Sequence, residues 1–161
     1  MLHIRKSVAT DAGQIWAILA PIIEAGDALV YSPASTQAEM LDYWLAENKH
    51  TYTAILEEQV VGTFFIQDNQ PGLGAHVANA GYATAPDFYG RGIARQMCQF
   101  SLAEARRLGY LAMQFNIVVK TNVRAVALWQ QMGFEIIGEI PAAFQHQKLG
   151  LVNAYVMYQQ L

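Results

Sequence analysis

The sequence predicts an α+β protein built around one mixed β-sheet. Three observations predict it. Apolar residues recur at helical spacing in four stretches, β-branched and aromatic residues gather in shorter runs between them, and the two kinds follow the order β-α-α-β-β-β-α-β-α-β-β.

The first run, "LHIRKSV", reads as a short strand. Thr10 and Asp11 are helix-start residues for "DAGQIWAILAPIIEAG", which gathers Ile15, Ile18, Leu19, Ile22 and Ile23 on one face and should stop at Gly26. "DALVYSPAS" reads as a loop. Thr36 then opens a second helix, "QAEMLDYWLAEN", with Met40, Leu41, Trp44 and Leu45 at helical spacing. The period changes in "TYTAILEE" and "VVGTFFIQD", joined across Glu57, Glu58 and Gln59 as a hairpin. "QPGLG" is a loop, and "AHVANAGYAT" is a strand ended by Pro86. A long helix, "IARQMCQFSLAEARRLG", follows Gly90 and Gly92. "LAMQFNIVV" is a strand and "VRAVALWQQM" a helix ending at Gly133, before the closing strands "FEIIGEI" and "VNAYVMYQQL". Between these two, His146 and Lys148 in "FQHQKLG" read as a mobile loop whose place borders an acceptor site.

No repeat, linker or low-complexity tract divides residues 1–161, so one domain is expected. Hydrophobic residues make up 53% and charged residues 14%, enough for a sizeable core. A net charge of −3 provides no basic field for nucleic acid. No apolar run reaches the ~18 residues that would cross a membrane. The lone Cys98 has no disulfide or metal-spaced partner, and no export signal is visible, so no metal and a cytoplasmic location are expected.

The stretch "TAPDFYGRGIARQM" carries the first chemical signal. Gly90 and Gly92 stand where a strand gives way to a helix, whose unpaired N–H groups and positive dipole end can hold a phosphate without a side-chain charge. Glycines permit positive φ and close approach, Ala94 keeps the first turn slim, and Arg91 adds charge at the rim. The same residues also suit an ordinary glycine turn. The Lys-Ser/Thr pair of a phosphate-binding loop and the third glycine of a dinucleotide fingerprint are both missing.

Tyr89, Gly90, Arg91, Gly92, Ile93 and Ala94, followed by Asn122, Ala125, Leu128, Trp129, Gly133 and Phe134, resemble the two sequence blocks of the GCN5-related N-acetyltransferase superfamily, and the element order agrees over nearly the whole chain. The resemblance implies a mostly antiparallel mixed sheet flanked by helices, with acetyl-CoA as cosubstrate. It further implies that the amides of Arg91, Gly92, Ile93 and Ala94 hold the pyrophosphate, that the main chain of Ala83 and Thr84 pairs with the pantetheine arm, and that Asn122 hydrogen-bonds the pantetheine or the sulfur end. Trp129 departs from the pattern by standing where many members carry a proton-donating tyrosine. Homodimers are common in that superfamily, and no feature of this sequence requires one.

A narrower resemblance, through "HVANAGYATAPDFYGRGIA", "MQFNIVVKTN", "ALWQQMGF" and "GEIPAAF", is to the branch that acetylates small cyclic amino acids such as azetidine-2-carboxylate. It implies catalytic or substrate-recognition roles for Asn79 and Asn116 beside Asn122. On splayed neighbouring strands the two amides could converge on an acceptor; equally, each could be a satisfied structural residue, and Asn122 a helix cap. His76, Tyr82, Glu24 and Glu139 are the candidate proton acceptors for the amine. The expected function is direct acetyl transfer to the amine of a small molecule, with a peptide acceptor or a silent CoA-binding module as alternatives.

Overall fold

The computed structural model describes all 161 residues. Seven strands, β1 (His3–Lys6), β2 (His50–Leu56), β3 (Gln59–Asp68), β4 (Val77–Thr84), β5 (Ala112–Val119), β6 (Glu135–His146) and β7 (Gly150–Gln160), form one sheet in the order β1-β2-β3-β4-β5-β7-β6. Four helices, α1 (Ala12–Ala25), α2 (Gln37–Trp44), α3 (Ile93–Arg107) and α4 (Val123–Gln131), complete the element order expected from the sequence.

Alternating strand residues feed two cores, one on each face of the sheet. On one face α3 sets Met97, Cys98 and Leu102 against Phe64, Ile66, Met113 and Met157. On the other, α1 and α2 bury Ile15, Leu19, Ile22, Met40 and Trp44 against Phe65 and Ala83. Trp44 is fully buried and donates its indole N–H to Thr63 Oγ1 at 3.0 Å, so the largest core side chain leaves no polar atom unpaired.

Most boundaries fall where the local chemistry puts them. Thr36 caps α2 by accepting from the Glu39 N–H at 3.2 Å, and Gly26 ends α1 in the left-handed conformation. Asp11 does something else. Residues 9–11 form a separate 3-10 turn, and the Asp11 carboxylate accepts from the Val8 N–H at 2.8 Å and from both Arg5 guanidinium nitrogens at 2.8 and 2.9 Å, tying β1 to the turn instead of capping α1. The expected loop "FQHQKLG" is also corrected. β6 runs through His146, because bulges after Ile136 and Ile140 and the break at Pro141 let the strand resume pairing from Phe144, and only residues 147–149 form the turn.

One interruption in the sheet matters for function. Parallel pairing of β4 with β5 covers only Val77↔Ala112 and Ala78↔Met113, after which β5 bulges between Phe115 and Val118 and the two strands part. No helix is long and apolar enough to cross a membrane.

Candidate active site

The gap between β4 and β5 leaves one edge of β4 without a strand partner from Asn79 onward. Its other edge stays paired to β3 through Gly62↔Thr84 and Thr63↔Ala83. Backbone groups at such an edge need partners, and an extended ligand running along β4 would supply them.

At the end of this strand the chain turns into α3. Gly90 and Gly92 hold φ of +78° and +74°, with Gly92 as the N-cap, and no side chain caps the helix. The first bond within the helix is from the Gln96 N–H to the Gly92 carbonyl at 3.1 Å, which leaves the amides of Ile93, Ala94 and Arg95 pointing out of its positive end. Gly92, Ile93, Ala94, Ala83, Thr84 and Asn122 all line a cavity of about 470 Å³, with Arg95 and Arg124 adding charge. Arg91 is not in that lining: its guanidinium sits 4.8 Å from the centre of the Phe88 ring, so only its main chain belongs to the turn. Arg95 and Arg124 are the functional candidates missed in the sequence. Their signal was three arginines within two turns of the glycines and the Asn122 cap.

A second cavity, of about 350 Å³, lies where the strands have parted. Asn79 and Asn116 both line it, roofed by Ala28, Leu29, Val30 and Tyr31 between α1 and α2. They are joined by an amide relay. Gln67 Nε2 donates to Asn79 Oδ1 at 3.1 Å, Asn79 Nδ2 donates to the main-chain carbonyl of Gln114 at 3.0 Å, Gln114 Nε2 donates to Asn116 Oδ1 at 3.0 Å, and Asn116 Nδ2 donates to Asn69 Oδ1 at 2.7 Å. Each NH₂ group retains a second hydrogen for a ligand.

The two cavities share Ala28, Leu29, Tyr82, Asn122, Ala125 and Trp129. Asn122 caps α4, its Oδ1 accepting from the Ala125 N–H at 3.3 Å, so its amide N–H groups stay free at the junction. Trp129 packs its ring 5.0 Å from both Tyr82 and Phe115.

Of the four candidate bases only Tyr82 lines the cavities. The Tyr82 hydroxyl points away from the junction, 2.5 Å from Ser101 Oγ, and burial pushes its pKa well above that of an ordinary phenol. Glu139 lies outside both cavities, held ionised by hydrogen bonds from Asn153 and Lys120. His76 and Glu24 are exposed and line neither cavity. Neither lining contains a carboxylate or an imidazole. Cys98 is fully buried, and burial pushes its thiol up to about 12, which removes it as a covalent relay.

Comparison with known proteins places this geometry. The sequence model of the Acetyltransferase (GNAT) family matches residues 17–134. A GCN5-related N-acetyltransferase from Kribbella flavida is 36% identical and superposes over 99% of this chain and 98% of its own, with a TM-score of 0.95. A phosphinothricin acetyltransferase from Sinorhizobium meliloti, solved in complex with acetyl-CoA, shares the fold at 20% identity with a TM-score of 0.87, over 99% of this chain and 88% of its own. N-acetyltransferase aca1 of Schizosaccharomyces pombe is 33% identical over 100 residues, 60% of this chain. The chain spans 47% of that relative's length.

Proposed function

This chain belongs to the GNAT acetyltransferase family, and on that premise we propose that it transfers the acetyl group of acetyl-CoA directly to the amine of a small molecule, an amino acid or a close analogue. One observation carries the reading. A groove with an unpaired strand edge and an uncapped helix start runs straight into a small, roofed, amide-lined cavity, through a junction held by Asn122 and Trp129.

Acetyl-CoA supplies an activated acyl group and a good leaving group. The chain supplies position. The amides of Gly92, Ile93 and Ala94 hold a diphosphate, as does that of Arg91 within the same turn, and the main chain of Ala83 and Thr84 pairs with the pantetheine arm. In the acceptor cavity Asn79 and Asn116 orient the amine. Its nitrogen bonds to the thioester carbon, the carbon–sulfur bond breaks, and the electron pair leaves on sulfur. The free N–H of Asn122 stabilises that thiolate, so Trp129 need donate no proton; general acid help is worth only ~10²–10⁴-fold. With no carboxylate or imidazole in either lining, the amine's proton passes to water.

A cavity of about 350 Å³ lies at the small end of ligand sites and favours a compact acceptor over a peptide. Cyclic amino acids such as azetidine-2-carboxylate fit the reading. Cytoplasmic location and a homodimer belong to it too, the latter supported by exposed Ile137, Ile140 and Leu151 on the outer hairpin. The test is thiol release from acetyl-CoA across a panel of amines and amino acids that includes proline analogues. Turnover with small amino acids bears the proposal out. Normal CoA binding without turnover of any amine replaces it with a binding module, and turnover of peptides alone replaces the acceptor class.

A further inference from the structure

The turn joining β6 to β7 reaches across to the end of α1, a contact that the transfer step leaves unexplained. The main-chain N–H of Gln147 donates to the Gly26 carbonyl at 3.1 Å. Gly26 is buried at φ +61°, and a Cβ built there would collide with Cγ of Gln147. The glutamine side chain thus occupies the space that any other residue at position 26 would claim. The turn is itself stiffened: Nδ1 of His146 accepts from the N–H groups of Lys148 and Leu149 at 3.1 and 3.2 Å, and Phe144 is buried just before it.

Gly26 is also where the cavity roof begins. Ala28 and Leu29 border both cavities, and Val30 and Tyr31 border the acceptor side. Fixing the backbone of such a segment costs roughly 1–2 kcal/mol per residue, so a contact at its springing point decides how much of that order is retained. We propose that Gln147 is a positioning residue for the acceptor: the hairpin turn clamps the start of the roof and thereby sets the height of the acceptor cavity. The clamp stands on geometry alone; its effect on catalysis rests on the acetyl-transfer reading.

Gln147→Ala empties the space over Gly26, and Gln147→Met refills it without the amide. Hydrogen exchange decides the clamp without any acceptor. The amide of residue 147, bonded to the Gly26 carbonyl, should exchange at least fivefold faster in the Ala variant, with the amides of residues 96–100 unchanged and wild-type rates restored in the Met variant. With azetidine-2-carboxylate as the acceptor probe, the Ala variant should raise the acceptor KM about tenfold, with the acetyl-CoA KM within twofold and the Met variant restored. Unchanged exchange at the amide of residue 147 overturns the clamp. Accelerated exchange with an unchanged acceptor KM, or equal rises in both KM values, overturns the positioning role. If wild-type protein does not acetylate the probe, the acceptor reading fails and exchange still decides the clamp.

Discussion

The two ends of the cleft are made of different material. The cofactor end is main chain: an unpaired strand edge, then amides freed by Gly90 and Gly92, with side chains contributing charge at the rim. The acceptor end is mostly side chain: Gln67, Asn79 and Asn116 line it among aromatic rings, linked through the main-chain carbonyl and side chain of Gln114 and braced by Asn69. Main-chain recognition tolerates almost any substitution that preserves backbone angles. A side-chain relay tolerates almost none, but it can be rewritten for a new acceptor without disturbing the fold.

The largest test of this contrast is Gly92→Val. It should lower CoA affinity about 100-fold, since forcing a β-branched residue to φ +74° costs ~1–3 kcal/mol and distorts the amides beyond it. Calorimetry measures the loss, and Arg91→Ala, which retains the main chain, should change affinity by no more than a few fold. Asn116→Ala attacks the other end. It should cut kcat/KM for the acceptor about 30-fold, within the ~1–3 kcal/mol for stranding a polar partner, while CoA affinity is unchanged. Parallel loss of both would erase the division between the ends. At the junction, Trp129→Tyr should change kcat less than threefold; a large gain would mean that thiolate departure had lacked a proton donor.

The smallest effect lies outside both ends and calibrates them. Hydrogen bonds from Arg107, then Tyr52, hold Glu104 down at about 2. A carboxylate depressed in the folded state stabilises above its ordinary value near 4.5 and loses that contribution as pH falls toward 2. Glu104→Gln should therefore flatten the acid limb of thermal stability between about pH 4.5 and 2, with CoA binding at neutral pH untouched. A change in CoA binding would show that the outer face of α3 is coupled to the cleft.

The same contrast explains what could be read before the structure. Helical and strand periods reach across many residues, so Ile15 to Ile23 and the β2–β3 hairpin were legible, and the glycine turn announced the cofactor end because it needs positive φ at fixed positions. The acceptor end depends on where strands part. Asn79 and Asn116 were legible as amides out of place, but the relay linking them through Gln67, Gln114 and Asn69 exists only in three dimensions. The choice among Tyr82 and the other candidate bases stayed open because sequence does not give the direction of a hydroxyl, here turned into α3 at Ser101. The extension of β6 was hidden by Pro141, which reads as a strand terminator and is absorbed by a bulge.

That proline has a further consequence. β6 is the outermost strand of the sheet, twelve residues long, and an open edge of that length would ordinarily template cross-β aggregation. Pro141 removes one donor and the two irregularities break the flat register, so the rim offers no continuous ladder to a neighbouring chain. Copies that meet there must do so face to face through side chains, and the protein should withstand high concentration without forming fibrils.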